Sequence, residues 1–325
     1  MLALESVLDL PGLRNDLDRV EAALRSAVRS DDAFLTEVAS HLLSAGGKRL
    51  RPALAVAVGH LSASPASDDV IQGAASVELV HLGSLYHDDV MDEAKTRRTV
   101  ESVNSRWGNL VAILAGDFLL AKASEIAASL GTEVTALLAS TIGSLCEGQV
   151  RELQTAFNTG RTEEAYFSAI AGKTASLMAT SCRIGALAAG LPRPCVDALT
   201  AYGHDLGIAF QIVDDVLDVV ATDEELGKPA GNDLVEGVYT LPVILALEER
   251  ELGERLRDWL GRPLKRDEAD EVRDLIRSNG AVSTACDRAR MYAARAADHL
   301  DPIGGGQVAN ALAGIGDLLV DNLPR

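Results

Sequence analysis

One acidic pattern occurs twice. D-D-x-x-D is found at Asp88, Asp89 and Asp92 and again at Asp214, Asp215 and Asp218, each time inside a run whose apolar residues recur at helical spacing. On a helix, residues four apart lie one turn above each other, so Asp88 with Asp92, and Asp214 with Asp218, each present two carboxylates from one face. Left alone, that arrangement is unfavourable. Like charges at this spacing repel, and the flanking Leu85, Val90, Met91, Val213, Val216 and Leu217 imply partial burial, where unpaired charge is costly. A cation has to sit between them. Carboxylates without His or Cys suit a hard ion such as Mg²⁺, which takes a few protein oxygens and completes its octahedron with water and phosphate oxygens. A solvated acidic face is the ordinary explanation of one such cluster. Two in matching apolar contexts point instead to a magnesium-lined mouth for a diphosphate.

The second cluster carries more. In "FQIVDDVLD", Phe210, Asp214 and Asp218 share a stripe and Gln211 lies one turn before Asp215, so a ring and a neutral amide look toward the same space. Phe210 on its own reads as core packing. Cations stand where a diphosphate could use them. "GGKRLRP" sets Lys48, Arg49 and Arg51 beside Pro52, where a helix N-terminus with free N–H groups is expected, and "TRR" puts Thr96, Arg97 and Arg98 directly after the first aspartates. In an acidic chain these basic elements are expected to bind an anion rather than coat a loop. "AGKTAS" holds Gly172, Lys173 and Thr174, but a P-loop needs a glycine five positions before Gly172, where Phe167 stands. Nucleotide binding through that segment is therefore excluded. Lys173 and Thr174 remain as donors to a phosphate or to an oxygen near a reacting carbon, and Lys228 in "GKPAGND" is the last basic element. His81, seven residues before Asp88 and nearly on its face, is a candidate phosphate donor, while His87 reads as an ordinary core or surface histidine.

The elements that position these groups are helices. Ala and Leu dominate the 325 residues and aromatics make up only 4%, which favours helix over sheet. Helical periodicity runs through 15–44, 52–62, 68–94, 109–130, 133–157, 163–190, 195–221, 240–250, 266–278 and, with a break, 281–322. Strand alternation is absent, and "SAGGKRLRP", "SASPAS", "GLPRP" and "DPIGGGQ" supply the Gly, Pro and Ser that end helices without being long enough to link domains. One domain over 1–325 is expected. With 48 acidic against 30 basic side chains and a net charge of −18, the body repels a phosphate backbone, so nucleic-acid binding is not expected. Cys146, Cys182, Cys195 and Cys286 show no metal or disulfide spacing. The opening "MLALESVLDLPG" lacks the basic start and long apolar run of a signal peptide, and a cytoplasmic location is expected. No uncharged run reaches the eighteen or so residues that span a bilayer.

In order, spacing and context, "GGKRLRP", "HLGSLYHDDVMDEAKTRR", "VNSRWGNLVAILAGDFLLAKA", "GKTASL", "GIAFQIVDDVLDV" and "GKPAGNDLVEGVYTLPVI" resemble the trans-isoprenyl diphosphate synthases, prenyltransferases that elongate an allylic diphosphate head to tail with isopentenyl diphosphate. The resemblance implies an all-α fold, a single large helical bundle around a deep cavity, assembled as a homodimer. It also implies that Asp88, Asp89, Asp92, Asp214, Asp215 and Asp218 hold Mg²⁺ on the allylic diphosphate with Arg97, Lys173 and Lys228. Lys48, Arg51, His81 and Arg98, with Arg49 as neighbour, would take isopentenyl diphosphate, and Thr174 and Gln211 would flank the carbocation. Two departures stand out: Val238 where the family often has lysine, and Thr99, Val100 and Glu101 where Gly and Pro are usual. Short-chain members block the tunnel just before the first aspartates with an aromatic side chain. Val80, Gly83 and Ser84 stand there, so a longer polyprenyl product is expected, with Val77 or Phe118 as a deeper floor. Geranylgeranyl diphosphate is the shorter alternative, a non-catalytic subunit of a heteromeric synthase the remoter one. A greasy product further implies a transient membrane contact at release.

Overall fold

The computed structural model describes residues 8–226, 229–321 and 323. Among these the chain is almost entirely helical: α1 (Leu13–Ala27), α2 (Ala33–Ser44), α3 (Leu50–Gly59), α4 (Asp68–Met91), a hairpin of β1 (Thr96–Arg97) and β2 (Val100–Glu101), α5 (Val103–Trp107), α6 (Asn109–Ser129), α7 (Thr132–Gln154) and α8 (Glu163–Ile170). After a π-turn at Ala171–Ala175 come α9 (Ser176–Ala188), α10 (Arg193–Val220), α11 (Asp223–Leu226), α12 (Asn232–Glu236), α13 (Leu241–Glu248), α14 (Arg250–Arg257), α15 (Arg266–Arg277), α16 (Gly280–Asp298) and α17 (Gln307–Asp321).

The two helices that carry the aspartates form the centre. Ser67 caps α4, its hydroxyl accepting from the Val70 N–H at 3.3 Å with Asp68 and Asp69 in the first turn, which satisfies an orphan donor and suits the helix dipole. α4 is then buried on almost every side. It packs along α6 and against α1, α3 and α9, while α10 lies between α9 and α16. Because α9 touches both α4 and α10, one brace sets the distance between the two aspartate clusters. Buried apolar side chains from Leu8 to Leu323 belong to one contiguous core; each large aliphatic in it contributes roughly 1.5–3 kcal/mol.

Three features depart from the periodicity. The block read as 15–44 is two helices, because Asp32 caps α2 by accepting from the Leu35 N–H at 3.0 Å and the Ser30 N–H binds Thr36 Oγ1 at 2.9 Å; Ser and Asp between helical runs were the signal for that break. Of the arginines after the first aspartates, Arg97 sits on a strand and Arg98 in a hairpin turn. Thr96 pairs with Glu101 and Arg97 with Val100, and the turn between them holds Arg98 and Thr99 at φ 50° and 66°. Two consecutive left-handed residues are what a tight hairpin turn of this hand needs, and β-branched Thr99 is strained there. The helix read across 163–190 is interrupted by the π-turn, a local widening that re-aims the side chains it carries. Among the described residues no helix is long and apolar enough to cross a membrane.

Candidate active site

A cavity of about 1250 Å³ opens between α4, α7, the π-turn and α10. Its lining includes Asp88, Asp92, Arg97, Lys173, Thr174, Gln211, Asp214 and Asp215, so both aspartate clusters reach one space. Burial pushes the Asp88 carboxyl up to about 6, with Lys173 pulling it down and Asp92 pushing it further up. Asp92 is raised as well, again first by burial. Across the cavity, burial lifts Asp215 to about 7 against the hydrogen bonds it accepts. Carboxylates that resist ionisation beside one another need a cation that the protein alone does not supply.

The chain orders these groups with a relay. Thr174 Oγ1 donates to Gln211 Oε1 at 2.7 Å, Gln211 Nε2 donates to Asp215 Oδ1 at 2.8 Å, and the buried Tyr166 hydroxyl donates to Asp215 Oδ2 at 2.6 Å. Both oxygens of Asp215 are thereby oriented, and the Thr174 hydroxyl is held against the Gln211 amide. Lys173 is ion-paired to Glu152 of α7, which fixes its ammonium at the cavity wall. The π-turn can approach α7 this closely because Gly148 faces it: a Cβ there would lie 2.4 Å from the Lys173 backbone nitrogen. Gly148, Glu152, Tyr166 and Arg161 were not singled out from the sequence, where Gly148 is one of two glycines in the helical run 133–157.

Asp89 and Asp218 stand back from this lining. Asp89 is fully buried; its Oδ1 accepts from Arg97 Nε at 2.7 Å and is ion-paired to Nη2 at 2.7 Å, while its Oδ2 has no hydrogen-bond partner. It holds the Arg97 guanidinium toward the cavity. Asp218, also buried, accepts from the Asp233 N–H at 3.4 Å and its carbonyl from the Gly231 N–H at 2.9 Å, tying the loop after α11 onto α10. Lys228 lies outside the described residues. Phe210 packs against the core, as its default reading had it.

The basic residues gather elsewhere, around one acid the sequence reading passed over. Glu78 of α4 is 1% exposed; Arg49 Nη1 donates to it at 2.8 Å and Arg98 Nη2 lies 3.9 Å away. Burial raises the Glu78 carboxyl, opposed by Arg49, Arg51 and Arg98. Burial also lowers Arg51, whose Nε has no partner, and holds His81 well below its ordinary value, with the arginines adding to the effect; His81 is therefore a neutral ring at physiological pH. Gly47 makes room for the group: a Cβ there would sit 2.8 Å from Arg98 Cζ. Arg49, expected as a neighbour of that site, donates to Glu21, Glu78 and the Leu43 carbonyl. Lys48 is exposed.

The small residues before Asp88 stand at a helix crossing. A Cβ on Gly83 would lie 3.1 Å from the Gly116 carbonyl and from Leu120 Cγ, so Gly83 is small because α4 and α6 cross there. Ser84 donates to the His81 carbonyl at 2.9 Å and Val80 is fully buried. None of Val80, Gly83 and Ser84 lines the cavity. His87 lies on the same crossing, its Nε2 3.2 Å from the Ile113 carbonyl.

The site fits a hard cation through the chemistry of its donors: carboxylates that run from exposed Asp92 and Asp214 to buried Asp215, with Asp88, Asp92 and Asp215 pushed up by burial. Among the described residues no three acidic, His or Cys side chains form a ready cage, which suits an ion that takes one or two carboxylates and otherwise water and phosphate oxygens.

Comparison with known proteins gives one family throughout. Residues 32–278 match the family model described as polyprenyl synthetase. The chain is 39% identical over 292 residues to the nonaprenyl diphosphate synthase of Mycobacterium tuberculosis, covering 89% of this chain and 87% of that protein. It is 42% identical over 238 residues to heptaprenyl diphosphate synthase component 2 of Geobacillus stearothermophilus, covering 73% and 74%. Among solved structures it superimposes on the geranylgeranyl pyrophosphate synthase of Corynebacterium glutamicum, complexed with calcium and isoprenyl diphosphate, with a TM-score of 0.85, 39% identity and 96% of each chain covered.

Proposed function

This chain belongs to the polyprenyl synthetase family and is an all-α prenyltransferase acting head to tail on isoprenyl diphosphates; on that premise we propose how its residues divide the work. Asp88, Asp92, Asp214 and Asp215 hold Mg²⁺ against an allylic diphosphate, with Asp89 acting through Arg97 and Asp218 anchoring the loop behind it. The observation that carries the assignment is the meeting of both aspartate clusters with Lys173 in one cavity. Lys48, Arg51, His81 and Arg98 take the diphosphate of isopentenyl diphosphate, supported by the unpartnered Arg51 Nε.

Ionising the allylic C–O bond needs negative charge on the departing diphosphate stabilised, and bound Mg²⁺ supplies that stabilisation. Arg97 and Lys173 add fixed positive charge at the same wall, and hold it before the reaction begins. Thr174 and Gln211 place neutral oxygens near the developing cation while the relay keeps either from moving in as a nucleophile. No Ser, Cys or His nucleophile is required, since the released pyrophosphate can accept the proton.

The product is a polyprenyl diphosphate longer than geranylgeranyl diphosphate, supported by the names of the mycobacterial and Geobacillus relatives; the Corynebacterium neighbour keeps the shorter product as the second reading. A single domain, assembly as a homodimer and a cytoplasmic location complete the proposal. Exposed Leu110, Ile113 and Leu114 on α6 support the dimer, and four free cysteines suit a reducing compartment. A transient membrane contact at release follows from the apolar product alone, and flotation with vesicles and product present tests it. The primary experiment incubates the protein with Mg²⁺, labelled isopentenyl diphosphate and farnesyl or geranylgeranyl diphosphate and sizes the dephosphorylated products. A ladder past geranylgeraniol supports the long product, a stop there supports the shorter one, and no elongation with either primer returns the chain to the non-catalytic subunit.

A further inference from the structure

Arg161, in the loop before α8, is 6% exposed and lines the cavity. Its Nη1 donates to the Tyr239 carbonyl at 3.0 Å and its guanidinium stands 5.7 Å from the centre of the Tyr166 ring. Its Nε and Nη2 are buried without a hydrogen-bond partner. Two unused donors on a buried guanidinium are expensive, and native proteins seldom leave such groups unmatched unless a ligand completes them. Glu152, Asp215 and Asp233 attract the group without any of them bonding it.

Its position gives the unused donors a target. The loop that carries Arg161 grips the segment around Val238 on both sides: the Phe157 N–H donates to the Gly237 carbonyl at 2.8 Å, and Arg161 takes the Tyr239 carbonyl. Arg161 therefore stands beside Val238, and both line the cavity that holds Asp214 and Asp215. At Val238 the resemblance to the trans-isoprenyl diphosphate synthases implies a lysine, and Arg161 brings a cation to the same wall from a different segment. Arginine is also the better fit to paired phosphate oxygens, since its planar fork can donate two hydrogen bonds at once.

We propose that Arg161 is a substrate-binding residue of this chain, its Nε and Nη2 donating to oxygens of the allylic diphosphate and of the pyrophosphate it becomes, in the place left by the neutral side chain of Val238. The proposal rests on the reading of the cavity as the allylic diphosphate site. The probe is inorganic pyrophosphate with Mg²⁺, measured as inhibition of chain elongation and by calorimetry, on the wild-type protein, Arg161→Met and Arg161→Met with Val238→Lys. In Arg161→Met, pyrophosphate affinity falls roughly tenfold or more, the loss expected for charge-assisted hydrogen bonds. The KM for isopentenyl diphosphate stays unchanged, and Val238→Lys in the same background recovers most of the affinity. Arg161→Gln, which keeps a donor for the Tyr239 carbonyl, is read in the same way where Arg161→Met does not unfold cooperatively. Unchanged pyrophosphate affinity overturns the proposal, and so does a loss that Val238→Lys leaves in place, which would make Arg161 a strut for residues 237–239. A wild-type protein that neither elongates a primer nor binds pyrophosphate removes the underlying reading instead.

Discussion

The acid-lined cavity and the basic cluster around Glu78 both concentrate charge inside one helical bundle, but they balance it in opposite ways. In the cavity, Asp88 and Asp215 are pushed up to about 6 and about 7 because burial and neighbouring carboxylates outweigh Lys173 and the donors that reach them. In the basic cluster, Arg49 and Arg98 face a glutamate built into α4. The first region gathers more carboxylate than its own cations offset, while the second carries its own counterion. Charge removal should therefore favour the fold in the first and damage it in the second.

The largest effect expected is on catalysis. Asp88→Asn or Asp215→Asn should lower kcat by on the order of 10²–10³, the scale of losing one charge-stabilising group, while the melting temperature in EDTA stays level or rises; steady-state kinetics beside a thermal melt checks both halves. A variant that loses activity only because it unfolds would break the contrast. Glu78→Gln should do the reverse. It leaves Arg98 without its carboxylate and Arg49 with Glu21 alone, and should cost about 3 kcal/mol in denaturant unfolding, with pyrophosphate in EDTA restoring part of the loss if that cluster accepts an anion. A stability equal to wild type would mean that the arginines never needed Glu78.

A third carboxylate, neither in the cavity nor in the cluster, sharpens the comparison. Burial acts to raise Asp16, but the Ala66 N–H, His60 and Arg19 outweigh it and hold this carboxyl below its ordinary value. A depressed carboxylate contributes stability that is present above its unfolded value and is lost as pH falls through the folded one. An acid titration of unfolding free energy should thus steepen below about pH 4 in wild type and flatten in Asp16→Asn; identical acid limbs would show that Asp16 does not titrate with unfolding. The smallest effect belongs to the hairpin that carries Arg97 and Arg98. Thr99→Gly should raise stability by about 1 kcal/mol, because glycine adopts φ 66° without the β-branched clash. An unchanged or lower value would mean that the turn carries no strain.

Most helices were legible because the periodicity of apolar residues is a local property, and the ends misread by it had local reasons. Ser30 and Asp32 capped a helix inside an apolar block, and Arg98 with Thr99 made a hairpin where neither Gly nor Asn announced one. The aspartates were legible as chemistry for the same reason: two identical spacings in apolar runs. Glu78 offered a weaker signal, a single acid inside "ASVELVHL", and was passed over because a lone charge names no partner. Gly83 was read for the product tunnel, yet its neighbour is the Gly116 carbonyl on another helix.

The sequence by itself determined the residue types, their spacing and hence the helices and the demand for a hard cation, since these follow from short-range geometry and charge. Only the tertiary structure decided which carboxylates reach the cavity, which arginines are already engaged and that Arg161 stands beside Val238 at the cavity wall. Burial and pairing depend on which helices cross and how closely, and the residues at those crossings, Gly148 against Lys173 and Gly83 against Gly116, meet neighbours far away in sequence.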